Sequence, residues 1–176
     1  FARTIARELA PTNGGQADFD PELGMGTQLV IDSCGPDEVI VISARGNSEF
    51  AVWGDNMATR AYAVGVRAVV TDGVIRDVDE MDGIGMTVFA GGTTPRQAFK
   101  RLVTTAINEP VVAGGVLVRP GDIVVADGDG VISIAAARAE EVLARAEAIH
   151  AVETEMHAFL VAGNGLVAAI QKYKQR

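Results

Sequence analysis

The first half of the chain carries the pattern of a strand, a helix and a second strand. Glu38–Ser43 is a nearly continuous apolar run, which is typical of a strand buried on both faces. From Asp55 onward the apolar residues recur at helical spacing, and Gly65 stands where a C-terminal cap is expected. The apolar stripe of this helix comprises Met57, Ala58, Ala61, Tyr62 and Val64. Val66–Thr71 is a second buried run, so the order predicts a parallel crossover over Val39–Thr71.

The N-terminal segment is less regular. Phe1–Arg7 alternates apolar and polar residues, which predicts a half-buried strand. Pro11–Gly26 is rich in Gly, Asp, Asn and Pro and predicts a loop. Thr27–Ser33 fits a short helix or a strand, and the pattern leaves both open. Because the chain begins directly with a strand and without methionine, we expect its natural N-terminus to be missing.

The second half is richer in short strands. Met86–Ala90 predicts a strand, Asp72-Gly73 a turn, and Thr94-Pro95 a helix start that continues through Gln97–Thr105. Four further short strands, separated by Gly-Gly, Pro-Gly-Asp and Asp-Gly-Asp-Gly turns, indicate a meander or a compact second sheet. They are Val111–Ala113, Val116–Val118, Ile123–Ala126 and Val131–Ile134. A long helix over Ala137–Val161 and a short amphipathic segment over Leu166–Tyr173 end the pattern, which favours one α/β domain over 1–176.

Composition narrows the classes of function. The 176 residues carry a net charge of -8, and the basic residues are scattered, which disfavours nucleic-acid binding. The single cysteine, Cys34, excludes an intrachain disulfide and a thiolate metal cage, and we expect it to be a small buried residue. No apolar run is long enough to span a bilayer, so we expect a soluble, cytoplasmic protein without membrane contact.

Several common catalytic arrangements are missing from the sequence. His150 and His157 lie seven residues apart on the long helix, a spacing that suits neither a metal pair nor a base beside a nucleophile. We therefore expect surface or packing roles for both. The Gly91-Gly92 and Gly114-Gly115 pairs lack the spacing of a dinucleotide fingerprint, and no Walker-type loop is present. The lysines lie in polar contexts that would not lower a pKa for Schiff-base chemistry.

The segment Gly54-Asp55-Asn56-Met57 begins the first predicted helix. A helix N-terminus presents unpaired backbone N–H groups and a positive dipole end, which together favour a carboxylate or a phosphate. The alternative is that Asp55 and Asn56 merely cap the helix.

Arg76-Asp77 is the second candidate element. The pair follows the carboxyl end of Val66–Thr71, and Asp55 faces the same edge, where ligands collect in parallel sheets. An arginine can clamp a carboxylate or an enolate, and an aspartate can bind a hard divalent cation. The alternative is a salt-bridged turn in which Asp79, Glu80 and Asp82 are solvated acids.

These two elements carry a family resemblance. Trp53–Ala58 together with Gly65–Glu80 resembles the RraA-like family, and more narrowly its branch of 4-hydroxy-4-methyl-2-oxoglutarate/4-carboxy-4-hydroxy-2-oxoadipate aldolases. Val88–Ala90, Pro110–Val112, Gly114–Val116 and Arg119–Val131 also fit. The likeness extends from Val39 through most of the chain. Its G-D-N and D-G-x-x-R-D-x-x-E patterns are specific, whereas the Pro-Gly-Asp turn is mostly structural.

The resemblance implies a swivelling β/β/α fold with stacked sheets, assembled as a homotrimer or hexamer. It also implies a helical segment before Phe1. By the same resemblance Asp77 is expected to bind Mg²⁺ or Mn²⁺, and Asp55 to hold a metal-bound water. Arg76 is expected to contact the keto oxygen of a 2-oxo acid and to stabilise the enolate. Backbone N–H groups of Gly54, Asp55, Asn56 and Met57 are expected to receive the substrate carboxylate.

The implied activity is a class II, metal-dependent pyruvate aldolase with oxaloacetate decarboxylase activity. A metal-linked water is expected to accept the 4-hydroxyl proton, and Glu153 or Glu155 of a neighbouring subunit to complete the site. The rest of the substrate is expected to meet Pro11–Gly26 or a partner subunit. One alternative is a non-catalytic regulator of ribonuclease E, although the family's regulators lack the arginine–aspartate pair. A third hypothesis keeps the chemistry but changes the 2-oxo or 2-hydroxy acid.

Overall fold

The computed structural model describes residues 1–9, 12–13, 16–17 and 24–173. Most of the predicted loop Pro11–Gly26 therefore lies outside the described residues. The chain divides into two compact units, Phe1–Ala135 and Ala136–Arg176.

A five-stranded sheet forms the centre of the first unit. Its strands are β1 (Ala2–Leu9), β4 (Val39–Ser43), β5 (Ala68–Thr71), β7 (Thr87–Phe89) and β9 (Leu102–Ile107). A separate small hairpin is formed by β2 (Thr12–Asn13) and β3 (Gln16–Ala17). The order across the large sheet is β7-β5-β4-β1-β9. Neighbouring strands are parallel except for the antiparallel pair of β1 and β9.

The predicted crossover is confirmed. Helix α2 (Asp55–Ala63) connects β4 to β5, and those two strands are parallel. The helix buries Ala58 and Ala61 in a core that also contains Trp53, whereas Tyr62 is exposed. Val64 is the C-terminal cap, and Gly65 follows it at φ 88°, a left-handed conformation that suits glycine.

The open choice at Thr27–Ser33 is resolved as a helix. Helix α1 (Gly26–Ser33) buries Thr27, Val30 and Ile31, which lie at the i, i+3 and i+4 spacing of one helical face. Cys34 follows the helix and is buried, as expected.

The prediction of a half-buried first strand is wrong, although the strand itself is confirmed. Ile5 packs into the core beneath α1 and α2, while Ala2 and Ala6 pack into a second cluster on the other face. Of the polar residues that suggested a solvent face, Thr4 and Arg7 are buried as well, whereas Arg3 is partly exposed. Arg7 donates to the Thr27 hydroxyl at 3.1 Å and to the Leu102 carbonyl at 3.1 Å. Its burial lowers the pKa of Arg7 to about 10.

The predicted helix over Gln97–Thr105 is also wrong. Residues 98–101 form a turn, and Leu102–Ile107 is strand β9, which pairs with β1. Leu102, Val103 and Thr104 are buried there. The β-branched residues of this segment satisfy their backbone groups against β1, and this long-range pairing overrides the local Thr-Pro helix signal.

The four short strands of the second half are confirmed, but they form two separate antiparallel hairpins and not the single meander or second sheet that was predicted. The first pairs β10 (Val111–Ala113) with β11 (Val116–Val118), and the second pairs β12 (Ile123–Asp127) with β13 (Gly130–Ile134). Val111 and Val118 pack with Ala2 and Ala6 in the second cluster. The Pro-Gly-Asp turn is structural, because buried Asp122 accepts from the Arg119 N–H at 2.8 Å and from the Ser133 hydroxyl at 3.2 Å.

The second unit is helical. The first unit also contains the short helix α3 (Val78–Ile84). In the second unit, a 3₁₀ turn (Ala136–Arg138) leads into the 23-residue helix α4 (Ala139–Val161), and helix α5 (Leu166–Tyr173) follows. Both predicted helical segments are therefore confirmed. The rings of Phe159 and Tyr173 make an edge-to-face contact at 6.0 Å between the two helices. Among the described residues, no helix is long and apolar enough to cross a membrane.

Candidate functional site

Three chain segments meet beside the N-terminus of α2. Trp53 pairs with Ile75, and the Arg76 N–H donates to the Trp53 carbonyl at 3.0 Å. On the other side, β6 (Val74–Ile75) pairs with β8 (Gly92–Thr93), and the Thr94 N–H donates to the Ile75 carbonyl at 2.9 Å. This short parallel ladder places Arg76 and Asp77 directly beside Gly54 and Asp55.

Arg76 and Asp77 form an ion pair across neighbouring positions of the chain. The Arg76 Nη1 lies 2.9 Å from the Asp77 Oδ2 and 3.2 Å from the Oδ1. Both side chains are partly exposed, so water screens the pair. Asp77 itself is left-handed, at φ 59° and ψ 44°, a conformation that aspartate tolerates better than most residues. Non-glycine residues held in this region concentrate at functional sites.

The Asp77 carboxylate reaches the start of the other helix. Asp77 is the N-cap residue of α3, but its side chain makes no capping hydrogen bond there. Instead, the Asp55 N–H donates a long hydrogen bond of 3.4 Å to the Asp77 Oδ2. The carboxylate thus lies at the positive end of α2, where the helix dipole favours a negative charge.

Gly54 makes this close approach possible. Its backbone is extended, at φ -167° and ψ -177°, so conformational freedom is not what requires glycine. A Cβ at this position would lie 2.8 Å from the Asp77 Oδ2 and 3.1 Å from the Arg76 Cγ and Nε. The side chains of Arg76 and Asp77 therefore occupy the space that any larger residue would fill. The sequence shows the glycine, but only the structure shows this packing.

The structure brings Gly54, Asp55, Arg76 and Asp77 together at one place. The side chain of Asn56 is exposed, and that of Met57 packs against the core, so these two could serve the site through their backbone. The alternative that Asp55 or Asn56 caps α2 is wrong, because the N-cap residue is Gly54, which has no side chain to cap the helix. The chemical roles of all these residues stay predictions.

Trp53 is a residue near the site that the pattern did not single out. It is the single tryptophan of the chain and is fully buried. Its carbonyl holds the Arg76 N–H, and its indole Nε1 has no hydrogen-bond partner within the described part of the chain. The signal available in the sequence was its position directly before Gly54.

The donor set at the site suits a magnesium-like ion better than zinc. Across the described residues, no group of three or more His, Cys, Asp or Glu side chains could hold a metal. Zinc sites generally need three or four protein ligands, whereas Mg²⁺ keeps several waters and binds through one or two carboxylates. The Asp77 carboxylate, with 24% of its side chain exposed, offers that kind of ligand.

The remaining predicted participants lie on helix α4 of the second unit. His150 and His157 are both exposed, which confirms the predicted surface position. Glu153 and Glu155 are also exposed, and their contribution to a neighbouring subunit stays a prediction.

Known proteins resemble this chain in sequence and in fold. A family model described as RraA-like (Aldolase/RraA) matches residues 19–133. A Halalkalibacterium halodurans protein named "Putative 4-hydroxy-4-methyl-2-oxoglutarate aldolase" is 39% identical over 88 residues, covering 50% of this chain and 41% of that protein. The chain spans about half the length of the curated relatives it matches.

Solved structures confirm the predicted fold class. An uncharacterized protein from Pseudomonas syringae pv. tomato str. DC3000 superposes with a TM-score of 0.83 at 29% identity, covering 98% of this chain and 74% of that one. Streptomyces coelicolor RraAS2, described as an unusual member of the RNase ES inhibitor RraA protein family, gives a TM-score of 0.78 at 29% identity. That match covers 89% of this chain and 75% of RraAS2.

Proposed function

The chain belongs to the RraA-like family, and from that premise we propose that it is a divalent-metal-dependent aldolase. Its substrates would be 4-hydroxy-2-oxo dicarboxylic or tricarboxylic acids such as 4-hydroxy-4-methyl-2-oxoglutarate, which it would cleave to pyruvate, and it would also decarboxylate oxaloacetate. The observation that carries the proposal is the contact of Arg76-Asp77 with the start of α2, which brings together a cation, a carboxylate of the kind that binds hard metal ions and the N-terminus of a helix.

The helix start supplies the part of the site that would bind the 2-oxo acid's carboxylate. The first N–H groups of α2, from Asp55 through Met57, have no acceptor within their own helix. Together with the helix dipole they favour an anion. The absence of a Cβ at Gly54 lets the side chains of Arg76 and Asp77 approach this end of the helix closely.

Arg76 is the residue suited to stabilise the charge that develops on the keto oxygen. In the retro-aldol step the 4-hydroxyl loses its proton, the C3–C4 bond breaks, and its electron pair forms the enolate of pyruvate. Protonation of C3 then completes pyruvate. In oxaloacetate the leaving fragment is carbon dioxide instead. A guanidinium within reach of the enolate oxygen stabilises that charge in either case.

Asp77 is the residue that would hold Mg²⁺ or Mn²⁺. A bound ion would act as a Lewis acid toward the keto oxygen and lower the pKa of a coordinated water. Asp55 is partly buried at the first position of α2, beside Asp77, and its proposed role is to orient that water. Both histidines of the chain lie on α4 of the second unit, and the proposal assigns neither of them the role of a base.

A homotrimer or hexamer is part of the proposal. Within the second unit, α4 has no buried residue although it carries several large apolar side chains. Burial of such a helix against another subunit would remove this apolar surface from water. A neighbour's Glu153 or Glu155 is the proposed contribution of that subunit to the site.

A non-catalytic regulator of ribonuclease E is the second candidate. The similarity to Streptomyces coelicolor RraAS2 favours it, because that protein is described as belonging to an RNase inhibitor family. The Arg76-Asp77 pair favours the enzyme, since the resemblance implies that the family's regulators lack it.

Pyruvate release tests the proposal directly. We expect turnover of oxaloacetate and 4-hydroxy-4-methyl-2-oxoglutarate with Mg²⁺ or Mn²⁺, and its loss with EDTA or in Asp77→Ala. Asp79→Ala is the matched control, because Asp79 is an exposed acid on α3. Full activity after chelation or in Asp77→Ala would refute metal-dependent catalysis. No turnover of any 2-oxo acid, combined with inhibition of a ribonuclease, would support the regulator instead.

A further inference from the structure

One carboxylate contacts two of the groups that the proposed site assigns to its substrate. The Asp77 Oδ2 lies 2.9 Å from the Arg76 Nη1, the cation assigned to the keto oxygen. The same oxygen accepts from the Asp55 N–H at 3.4 Å, the first of the helix groups assigned to the substrate carboxylate. In this structure Asp77 therefore stands where an incoming anion would bind.

We infer that Asp77 makes binding ordered, so that the divalent cation must bind before the 2-oxo acid. The inference rests on the proposed function and adds to it a gate within the site. Without a metal, the carboxylate holds Arg76 and the Asp55 N–H and repels a substrate anion. With a metal on Asp77, its charge is satisfied by the ion, and both groups become available to the substrate.

The physical basis is competition for a small number of donors. A free carboxylate and a substrate carboxylate carry the same charge, and both seek the guanidinium and the helix N-terminus. The Asp77 carboxylate is already beside the guanidinium, because Asp77 directly follows Arg76 in the chain. A divalent cation reverses the sign of the local charge, and the partly exposed ion pair that it would replace is screened by water.

Gly54 and the left-handed Asp77 are the structural conditions of this gate. The missing Cβ lets the Asp77 Oδ2 approach to a distance that a side chain at residue 54 would block. The backbone of Asp77 is left-handed, at φ 59°. Its side chain does not cap α3 and instead accepts a hydrogen bond from the Asp55 N–H at the start of α2.

Anion binding without turnover tests the gate. The probe is oxalate, a dianion with the adjacent oxygen pairs of the pyruvate enolate, measured by calorimetry and by the fluorescence of Trp53, the single tryptophan. We expect wild-type protein to bind oxalate about tenfold or more tightly with Mg²⁺ than with EDTA, the scale of one charge-assisted hydrogen bond. In EDTA, Asp77→Asn should bind oxalate about tenfold more tightly than wild type, and Mg²⁺ should no longer help.

Two variants separate the gate from a general charge effect. Asp77→Ala removes the acceptor as well as the charge, and should also bind oxalate in EDTA. Asp79→Asn removes an equal charge from the exposed first turn of α3 and should behave as wild type.

The inference is overturned if wild type binds oxalate equally well with and without Mg²⁺, if neither Asp77 variant gains affinity in EDTA, or if Asp79→Asn gains as much. Failure of the proposed function has a different signature. In that case, wild type with Mg²⁺ releases no pyruvate from any 2-oxo acid, whatever the pattern of oxalate binding.

Discussion

Substitution of Gly54 by alanine separates the site from the stability of the fold. The backbone at residue 54 is extended, so alanine adopts it without strain. The new methyl group, however, would lie 2.8 Å from the Asp77 Oδ2 and 3.1 Å from two atoms of Arg76. The side chains of Arg76 and Asp77, which are both partly exposed, must therefore move, while the surrounding core can stay in place.

The structure sets the size of each effect. The substitution would disrupt one long hydrogen bond and one partly exposed ion pair, so the free energy of unfolding should change by about 1 kcal/mol or less. Activity should respond much more strongly. A displacement of a catalytic group by about 1 Å can cost on the order of a hundredfold in rate. We expect kcat/KM for oxaloacetate to fall by about that factor.

Steady-state pyruvate release and urea unfolding measure the two effects on the same preparation. Gly83→Ala is the control, because a Cβ at Gly83, within α3, meets no atom within 4 Å. It should keep wild-type activity. The steric explanation is refuted if Gly54→Ala retains kcat/KM within about threefold of wild type, or if it loses about 3 kcal/mol or more of stability, the scale of a disrupted core.

Three further predictions concern buried positions elsewhere in the first unit. Burial raises the pKa of Cys34 from 9.0 to about 11, so the native protein at pH 8 should react slowly with a thiol reagent. The free energy of unfolding should also fall as the pH rises from 9 to 11, because the thiol of the unfolded chain ionises at a lower pH than the buried thiol. Gly26→Ala should destabilise by about 1–3 kcal/mol in urea unfolding, since its Cβ would lie 2.6 Å from atoms of buried Thr104. Asp122→Ala should cost about 1–3 kcal/mol, because it leaves a backbone N–H and the Ser133 hydroxyl without their acceptor.

Each of these has its own check. Protein unfolded in guanidinium should label at Cys34 rapidly, and equal rates in both states would show that the thiol is not protected by the fold. Gly35→Ala is the control for Gly26, because a Cβ there meets nothing within 4 Å, and an equal loss of stability in both variants would contradict the steric explanation. Asp122→Asn, which keeps one acceptor oxygen, should lose less stability than Asp122→Ala.

The sequence by itself determined the elements whose patterns are local. The apolar runs on either side of the helix at Asp55 predicted a parallel crossover, and the structure has it at Val39–Thr71. The four short strands of the second half and the long C-terminal helix were equally readable, because turn residues and helical spacing act over a few neighbours. The resemblance located the specific residues Gly54, Asp55, Arg76 and Asp77.

The tertiary structure alone decided whatever depends on partners distant in sequence. Leu102–Ile107 became a strand because it pairs with β1, about a hundred residues earlier, against a local helix signal. Packing against both of its faces also buried β1, whose alternation had suggested a solvent face. The contact of Asp77 with the start of α2 belongs to the same class. Hydrophobic periodicity in the sequence indicates which residues are buried. Which charged side chains come into contact depends on how segments distant in sequence pack together, and local patterns do not contain that information.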